Sequence, residues 1–254
     1  MKLFATTLFL SLVSTSAFAW GDCDYSRDIE RTVDIGSVDL IEVEAGAGFL
    51  KIKGETGRKD VLIEARLCSS DEDMLEKMDV VTDLSSGSAH FETRYPNKSQ
   101  WGNGWDSASI DLTLTVPANL AMDVEDSSGE ARVENVASLK MTDSSGELRI
   151  RDVAGDLSVR DSSGEMDLKK IGGNVEITDS SGGIYASDIK GNLRVLADSS
   201  GSIEARRVAK DVIVERDSSG AIDVVDVGGD FTVEKDSTGG IHYDNVDGKV
   251  SLPN

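Results

Sequence analysis

In the second half of the chain, apolar and polar residues alternate with a period of two, and one tetrapeptide interrupts the alternation at regular intervals. The tetrapeptide is Asp-Ser-Ser-Gly or Asp-Ser-Thr-Gly, and its copies are 17 to 19 residues apart. The seven copies begin at Asp126, Asp143, Asp161, Asp179, Asp198, Asp217 and Asp236. Self-similarity at a short fixed spacing indicates a repeat architecture in which each unit packs on its neighbours.

Counted from its Asp, each unit has apolar residues at positions 6, 8 and 11 and at a pair of positions near its end. In the unit from Asp217 these are Ile222, Val224, Val227, Phe231 and Val233. A period of two turns one face of a short strand inward and excludes a helix. Such strands bury a core only when units stack. The pattern therefore predicts an all-β fold, a single β-solenoid of about 18–19-residue coils.

The N-terminal half repeats this alternation less regularly. Residues 37–67 alternate as strands, Ser69 to Met78 has the spacing of a short helix, and Val80–Leu84 with His90–Tyr95 is typical of a hairpin. Ile110–Val116 is a further predicted strand. We expect a signal peptide at 1–19, an irregular N-terminal β portion at 20–119 and the regular β-solenoid at 120–254.

The first residues have the features of a secretory leader. Lys2 precedes an apolar run from Leu3 to Val13, and Ala17-Phe18-Ala19 matches the small-x-small pattern of a cleavage site. The run is about half of the ~20 residues that span a bilayer. We therefore expect a periplasmic or secreted protein without a transmembrane segment in the mature chain.

Cys23 and Cys68 are the two cysteines of the chain. In an oxidising compartment an even pair is typically bridged, so we predict a Cys23–Cys68 disulfide. A redox or metal-binding pair would need closer spacing or neighbouring His, and neither is present.

The charge balance excludes one class of partner. The chain has 26 basic and 47 acidic residues and a net charge of -21, which opposes nucleic-acid binding. Aromatic residues make up 5% and Gly numbers 25, a composition that favours many tight turns over a bulky enzyme core.

Stacking would align the seven Asp residues, their hydroxyl neighbours and seven Gly along one edge. We interpret this as a structural turn ladder, because Asp accepts hydrogen bonds from the following backbone N–H groups and Gly supplies a positive φ. Stacked carboxylates repel, so calcium binding is one alternative. Ice binding by the hydroxyl rows is another. We predict no cofactor and assign no metal ligand.

A Gly-rich segment between the two halves holds Trp101 and Trp105 next to Tyr95. Aromatic residues on a loop can form a binding surface for a sugar or a protein, so we name these three as candidate binding residues. The alternative is that the loop folds back over an open end of the solenoid.

Nothing in the sequence predicts catalysis. His90 and His242 are far apart, and we find no nucleophile motif, zinc spacing or phosphate-binding Gly loop. A regular row of Asp also differs from the convergent carboxylates of sugar-cleaving enzymes.

The run from Gly146 to Val159, Gly-Glu-Leu-Arg-Ile-Arg-Asp-Val-Ala-Gly-Asp-Leu-Ser-Val, resembles the coils of a bacterial family of exported β-strand-repeat domains known as "putative adhesins". The resemblance extends over residues 37 to 252. It implies a solenoid and a non-enzymatic envelope protein, an adhesin-like binding or scaffold solenoid with a protein or glycan partner. The alternatives are an accessory or sensory part of an envelope-stress pathway and a calcium-stabilised solenoid.

Overall fold

The structure, a computed structural model, describes residues 23–85, 87–96 and 107–253. These residues form 22 strands and one short helix, α1 (Glu72–Lys77). In chain order the strands are β1 (Tyr25–Asp34), β2 (Leu40–Ala47), β3 (Leu50–Glu55), β4 (Asp60–Ser69), β5 (Asp79–Leu84), β6 (Ser88–Arg94), β7 (Ala108–Pro117), β8 (Ala121–Ser128), β9 (Ala131–Val136), β10 (Ser138–Asp143), β11 (Leu148–Val153), β12 (Leu157–Asp161), β13 (Met166–Ile171), β14 (Val175–Thr178), β15 (Ile184–Ile189), β16 (Leu193–Ala197), β17 (Ile203–Val208), β18 (Val212–Val214), β19 (Ile222–Val227), β20 (Phe231–Val233), β21 (Ile241–Val246) and β22 (Val250–Ser251). The predicted signal peptide, Trp101 and Trp105 lie outside the described residues.

The strands form two 11-stranded sheets, which we call sheet A and sheet B. Sheet A has the order β1-β4-β7-β3-β9-β11-β13-β15-β17-β19-β21, and sheet B has the order β5-β6-β2-β8-β10-β12-β14-β16-β18-β20-β22. From β8 onward the chain alternates between the sheets, so each coil adds one strand to each. The predicted all-β solenoid is therefore confirmed.

Successive coils pair in parallel and in register. Ile184 of β15 lies beside Met166 of β13 on one side and Ile203 of β17 on the other. The same positions therefore form columns along the solenoid. The inward columns consist of the apolar residues that the sequence pattern predicted to face the core. Nearly all of them are buried in one continuous core.

The N-terminal end is less regular than chain order suggests. β7 lies between β4 and β3, and the first repeat strand β9 pairs with β3 rather than with β7. β1 and β4 pair antiparallel, as do β4 and β7. The predicted hairpin is confirmed by the antiparallel pair β5 and β6. Antiparallel strands thus close this end of both sheets.

Two further local predictions hold. The short helix α1 begins after Asp71, whose carboxylate accepts from the Met74 N–H at 2.8 Å, and it buries Met74 and Leu75. The Cys23–Cys68 disulfide is present, with 5.6 Å between the Cα atoms. It ties the start of β1 to β4, its partner strand in sheet A. Disulfides of this kind are typical of extracytoplasmic proteins.

The last coil differs from those before it. In β19, Ile222 and Val224 are completely buried, whereas Ile241 of β21 is only partly buried and Tyr243 is 49% exposed. No helix in the described ranges is long and apolar enough to cross a bilayer.

Candidate functional site

The Asp residues that begin the seven tetrapeptides stack at the corner where each coil passes from sheet B to sheet A. We call this set the Asp column: Asp126, Asp143, Asp161, Asp179, Asp198, Asp217 and Asp236. Direct pairing joins Asp126 to Asp143 and Asp143 to Asp161, and parallel bridges join Asp198 to Asp217 and Asp217 to Asp236.

The Asp column faces the interior. Six of its members are at most 4% exposed, and Asp236 in the last coil is partly buried. The cause is the alternation of β10, in which Leu139, Met141 and Asp143 all point inward. The turn ladder that we expected along an edge is therefore a buried row of carboxyl groups. Asp143 lies two residues after the inward Met141, and this spacing is the sequence signal for its burial.

The column carboxyls are at most partly satisfied by hydrogen bonds, and in Asp126 and Asp217 neither oxygen has a partner. Oδ1 of Asp143 accepts from the Ser145 N–H at 3.3 Å, and Oδ1 of Asp179 accepts from the Ser180 N–H at 2.7 Å. These are the turn hydrogen bonds that Asp provides at the head of a tight turn. Yet at least one buried oxygen of every column Asp has no hydrogen-bond partner.

Burial raises the pKa values of the Asp column. Loss of solvation, reinforced by Asp143, raises the pKa of Asp126 to about 7. The same cause, reinforced by neighbouring column members, raises the pKa of Asp143, Asp179 and Asp198 to about 6. The pKa of Asp161 and that of Asp217 are raised as well, again chiefly by burial.

The second hydroxyl residue of each tetrapeptide from Asp143 onward connects neighbouring coils. The Ser181 hydroxyl donates to the Ser162 carbonyl of the preceding coil at 3.2 Å. Equivalent bonds run from Ser145, Ser163, Ser200, Ser219 and Thr238. These second hydroxyls bond to carbonyls of the preceding coil, whereas the first Ser of the same tetrapeptides, such as Ser162 and Ser180, is exposed.

The tetrapeptide glycines stack with almost no space between them. Gly182 has φ 141°, and a Cβ built there would overlap the carbonyl oxygen of Gly164. The row continues into the N-terminal half, where Gly48 lies above Gly129 and Ala45 pairs with Asp126. The segment Ala45-Gly46-Ala47-Gly48 is therefore a divergent copy of the tetrapeptide, in which Ala45 ends the row of carboxyls.

A second corner lies between positions 8 and 11 of each unit. One non-glycine residue there adopts a left-handed conformation in every coil: Asn135, Asp152, Lys170, Asp188, Arg207, Asp226 and Asn245, with φ between 53° and 62°. We call this set the corner column. Its members pair along the solenoid axis, as Arg207 donates to Asp188 at 2.6 Å and the Lys170 amine lies 3.3 Å from Asp152. Sequence reasoning missed the conformation, although the three-residue step between positions 8 and 11 breaks the period of two.

Of the three candidate binding residues, Tyr95 alone is described. Its hydroxyl donates to the Ala47 carbonyl at 2.6 Å, its ring packs against Gly46, and burial raises its pKa to about 12. It therefore anchors the start of the 97–106 segment to β2. At the other end, Ser70 and Ser107 exchange hydrogen bonds, with the Ser107 N–H donating to Oγ of Ser70 at 2.9 Å.

In the part of the chain that the structure describes, the titratable side chains outside the Asp column do not converge on a site. His90 lies on β6, 3.9 Å from a Glu44 oxygen, while His242 lies on the last sheet A strand. Within the described ranges no group of three or more His, Cys, Asp or Glu has the arrangement of a metal site. A shallow groove of about 390 Å³ runs along the corner column beside Arg207, Asp226 and Asn245.

No protein-family model matches the chain, and no curated protein matches it. Several solved structures are similar to it. One is a "putative adhesin" from Bacteroides fragilis NCTC 9343, with 13% identity, a TM-score of 0.48 and coverage of 89% of this chain and 97% of that one. Another is a "putative adhesin" from Parabacteroides merdae ATCC 43184, with 13% identity, a TM-score of 0.43 and coverage of 90% and 97%. A "putative lipid binding protein" from Parabacteroides distasonis ATCC 8503 has 16% identity, a TM-score of 0.41 and coverage of 89% and 97%.

Proposed function

We propose that this chain is a non-enzymatic, exported binding or scaffold protein of the cell envelope, adhesin-like in that its rigid solenoid presents surfaces to a protein or glycan partner. The observation that supports this best is the pair of continuous outer sheet faces. Outward positions such as Lys51, Arg132, Arg149, Asp167 and Tyr185 lie in one in-register column across five strands of sheet A. Extended polar faces of this kind suit contact with a macromolecule.

The outer faces are held in a fixed arrangement. Arg149 pairs with Glu130 of the neighbouring coil at 2.5 Å, and Arg151 pairs with Asp167 at 2.6 Å. Each exposed pair contributes at most about 1 kcal/mol to stability. Their main effect is to order long side chains, so a partner would meet a surface that needs little rearrangement on binding.

The 97–106 segment is the contact region that we propose. Its two Trp residues are of the type that dominates binding hot spots. Its described flanks support a fixed base, since Tyr95 is hydrogen-bonded to Ala47 and Ser107 to Ser70.

The cellular location follows from two features. The leader predicted at residues 1–19 directs export, and the Cys23–Cys68 disulfide fits an oxidising compartment. We infer a periplasmic or secreted protein. No feature of the described residues favours the envelope-stress or calcium-stabilised alternatives.

The test is binding of the mature protein to a glycan array and to immobilised envelope fractions of the producing bacterium. We expect the Trp101→Ala/Trp105→Ala double variant to lose at least about tenfold in affinity, because truncating a hot-spot residue costs more than about 1.4 kcal/mol. Its thermal midpoint should stay unchanged. Tyr185→Ala, which removes a 38% exposed aromatic ring from the sheet A face, tests that face separately and should lose less affinity than the double Trp variant.

Three results are informative. Full binding by the double Trp variant would show that the 97–106 segment is not the contact region. If Tyr185→Ala lost as much affinity as the double Trp variant, the contact would lie on the sheet A face. Absence of binding to both glycans and envelope fractions would contradict the proposed function.

A further inference from the structure

The Asp column poses a chemical problem that its role in turns does not solve. Neighbouring strands in a parallel sheet are about 4.8 Å apart, so in-register carboxyl groups lie at about that spacing. Like charges at that distance, shielded from water, destabilise each other. Six of the seven members are at least 96% buried. An ionised column would thus be a row of uncompensated buried charges.

Among the residues that the structure describes, no positive charge compensates the column. Every ion pair in the described ranges joins residues outside it. The inner faces of sheets A and B that pack beside it are apolar. The titratable groups that interact with a column member are the next members of the column and, beside Asp126, the phenol of Tyr95.

No group of three or more His, Cys, Asp or Glu in the described ranges has the arrangement of a metal site, so the way that the column's own groups offer to neutralise the row is protonation. A protonated carboxyl has one O–H donor, and a neighbouring carboxylate is an acceptor in the same column. Each member also has at least one buried oxygen without a partner. A proton between two members would therefore provide the missing hydrogen bond and remove one of two adjacent charges.

We propose that the Asp column is a proton-binding element, in which part of the carboxyl groups stay neutral at neutral pH and share protons along the solenoid. The ligand is the proton itself, and the sites are the gaps between successive column members. Loss of these protons at higher pH would weaken the stacking of the coils.

The direction of the pH effect follows from linkage. The pKa of Asp143, Asp179 and Asp198 rises from 3.8 to about 6, and that of Asp126 to about 7. The folded protein therefore binds more protons than the unfolded chain between about pH 4 and pH 7. The column's contribution is complete below pH 4, falls as the pH rises through 6 to 7, and is lost above that range.

The net charge of -21 also lowers the stability of the fold as the pH rises, because protonation of any carboxyl relieves repulsion. The experiment therefore compares Asp179→Asn with Asp223→Asn. Both remove one negative charge, but Asp223 lies on the outer face of sheet A. The amide introduced by Asp179→Asn keeps an oxygen for the Ser180 N–H and adds an N–H donor toward the column neighbours.

Unfolding by urea is measured from pH 4.5 to pH 8.5 for the wild type and both variants. At pH 8, Asp179→Asn should raise the urea midpoint, because it removes a buried charge. In the range below about pH 6, this variant should take up about one proton fewer on folding than the wild type. Asp223→Asn should leave the proton uptake unchanged. An equal effect of the two substitutions would overturn the proposal.

A second measurement needs no variant. Infrared spectra of the wild type at pH 7 should contain the carbonyl band of protonated carboxylic acids, and the band should weaken as the pH rises to 9. Its absence at pH 7 would overturn the proposal even if Asp179→Asn failed to fold.

Discussion

At the scale of single residues, the tetrapeptide glycines are the least replaceable positions. Gly182 combines φ 141° with a Cβ direction aimed at the Gly164 carbonyl oxygen. We expect Gly182→Ala to lower the free energy of unfolding by about 3 kcal/mol or more, because both backbone strain and steric overlap oppose it. Urea denaturation monitored by circular dichroism measures the loss.

The neighbouring Gly183 is the control for this substitution. A Cβ on Gly183 would contact mainly the ring of Tyr185, which is exposed and free to shift. Gly183→Ala should therefore cost less than about 1 kcal/mol. Similar losses in the two variants would show that the Gly182 backbone does not limit the stacking.

The sequence predicted which residues form the core and the disulfide better than it predicted the surroundings of the turn residues. The apolar columns follow from a period of two, and the disulfide follows from having two cysteines behind a predicted secretory leader. The burial of Asp143 was missed because a DSSG motif is typical of an exposed turn. The turn motif alone does not show that the preceding strand ends with the Asp side chain on its inward face. The candidate Trp101 and Trp105 stay a prediction.

At the scale of elements, the corner column bends the seven sheet A strands from β9 to β21 at a non-glycine residue. Lys170 has φ 60°, a conformation that costs most residues about 1–2 kcal/mol, and its pair with Asp152 is exposed and weak. Lys170→Gly should therefore be neutral or stabilise the protein by up to about 1 kcal/mol. Lys169→Gly is the same change at the neighbouring residue of β13, which is not in the left-handed conformation, and it should destabilise the protein by about 1 kcal/mol. Thermal and urea unfolding of both variants decide this, and an equal loss would mean that the left-handed corner stores no strain.

The order of the elements was predictable only where the repeat is regular. From β8 onward, in-register columns follow directly from the nearly constant spacing of the tetrapeptides. In the N-terminal half, β7 inserts between β4 and β3, and two pairings there are antiparallel. Alternation specifies which face of a strand is buried but not which strand it pairs with, so neither arrangement could be derived.

At the scale of the whole molecule, the regular coils should behave as units with nearest-neighbour interactions. Deleting residues 179–197 joins Thr178 to Asp198 and removes one strand from each sheet, β15 and β16. The shortened protein should keep the circular dichroism of the wild type and be about 4.8 Å shorter by small-angle X-ray scattering. Deleting residues 179–188 removes about half a coil. It should abolish cooperative unfolding, since every later inward residue then loses its register.

The corner column adds a finer test of the same idea. Deleting one coil places Lys170 beside Arg207, whereas deleting two, residues 161–197, places Asp152 beside Arg207. Since members of this column pair only with adjacent coils, the first deletion brings like charges together and the second restores an opposite pair. The thermal midpoint of the one-coil deletion should therefore rise with added salt, while that of the two-coil deletion should not. Identical salt dependence would show that charges on this column do not influence how coils stack.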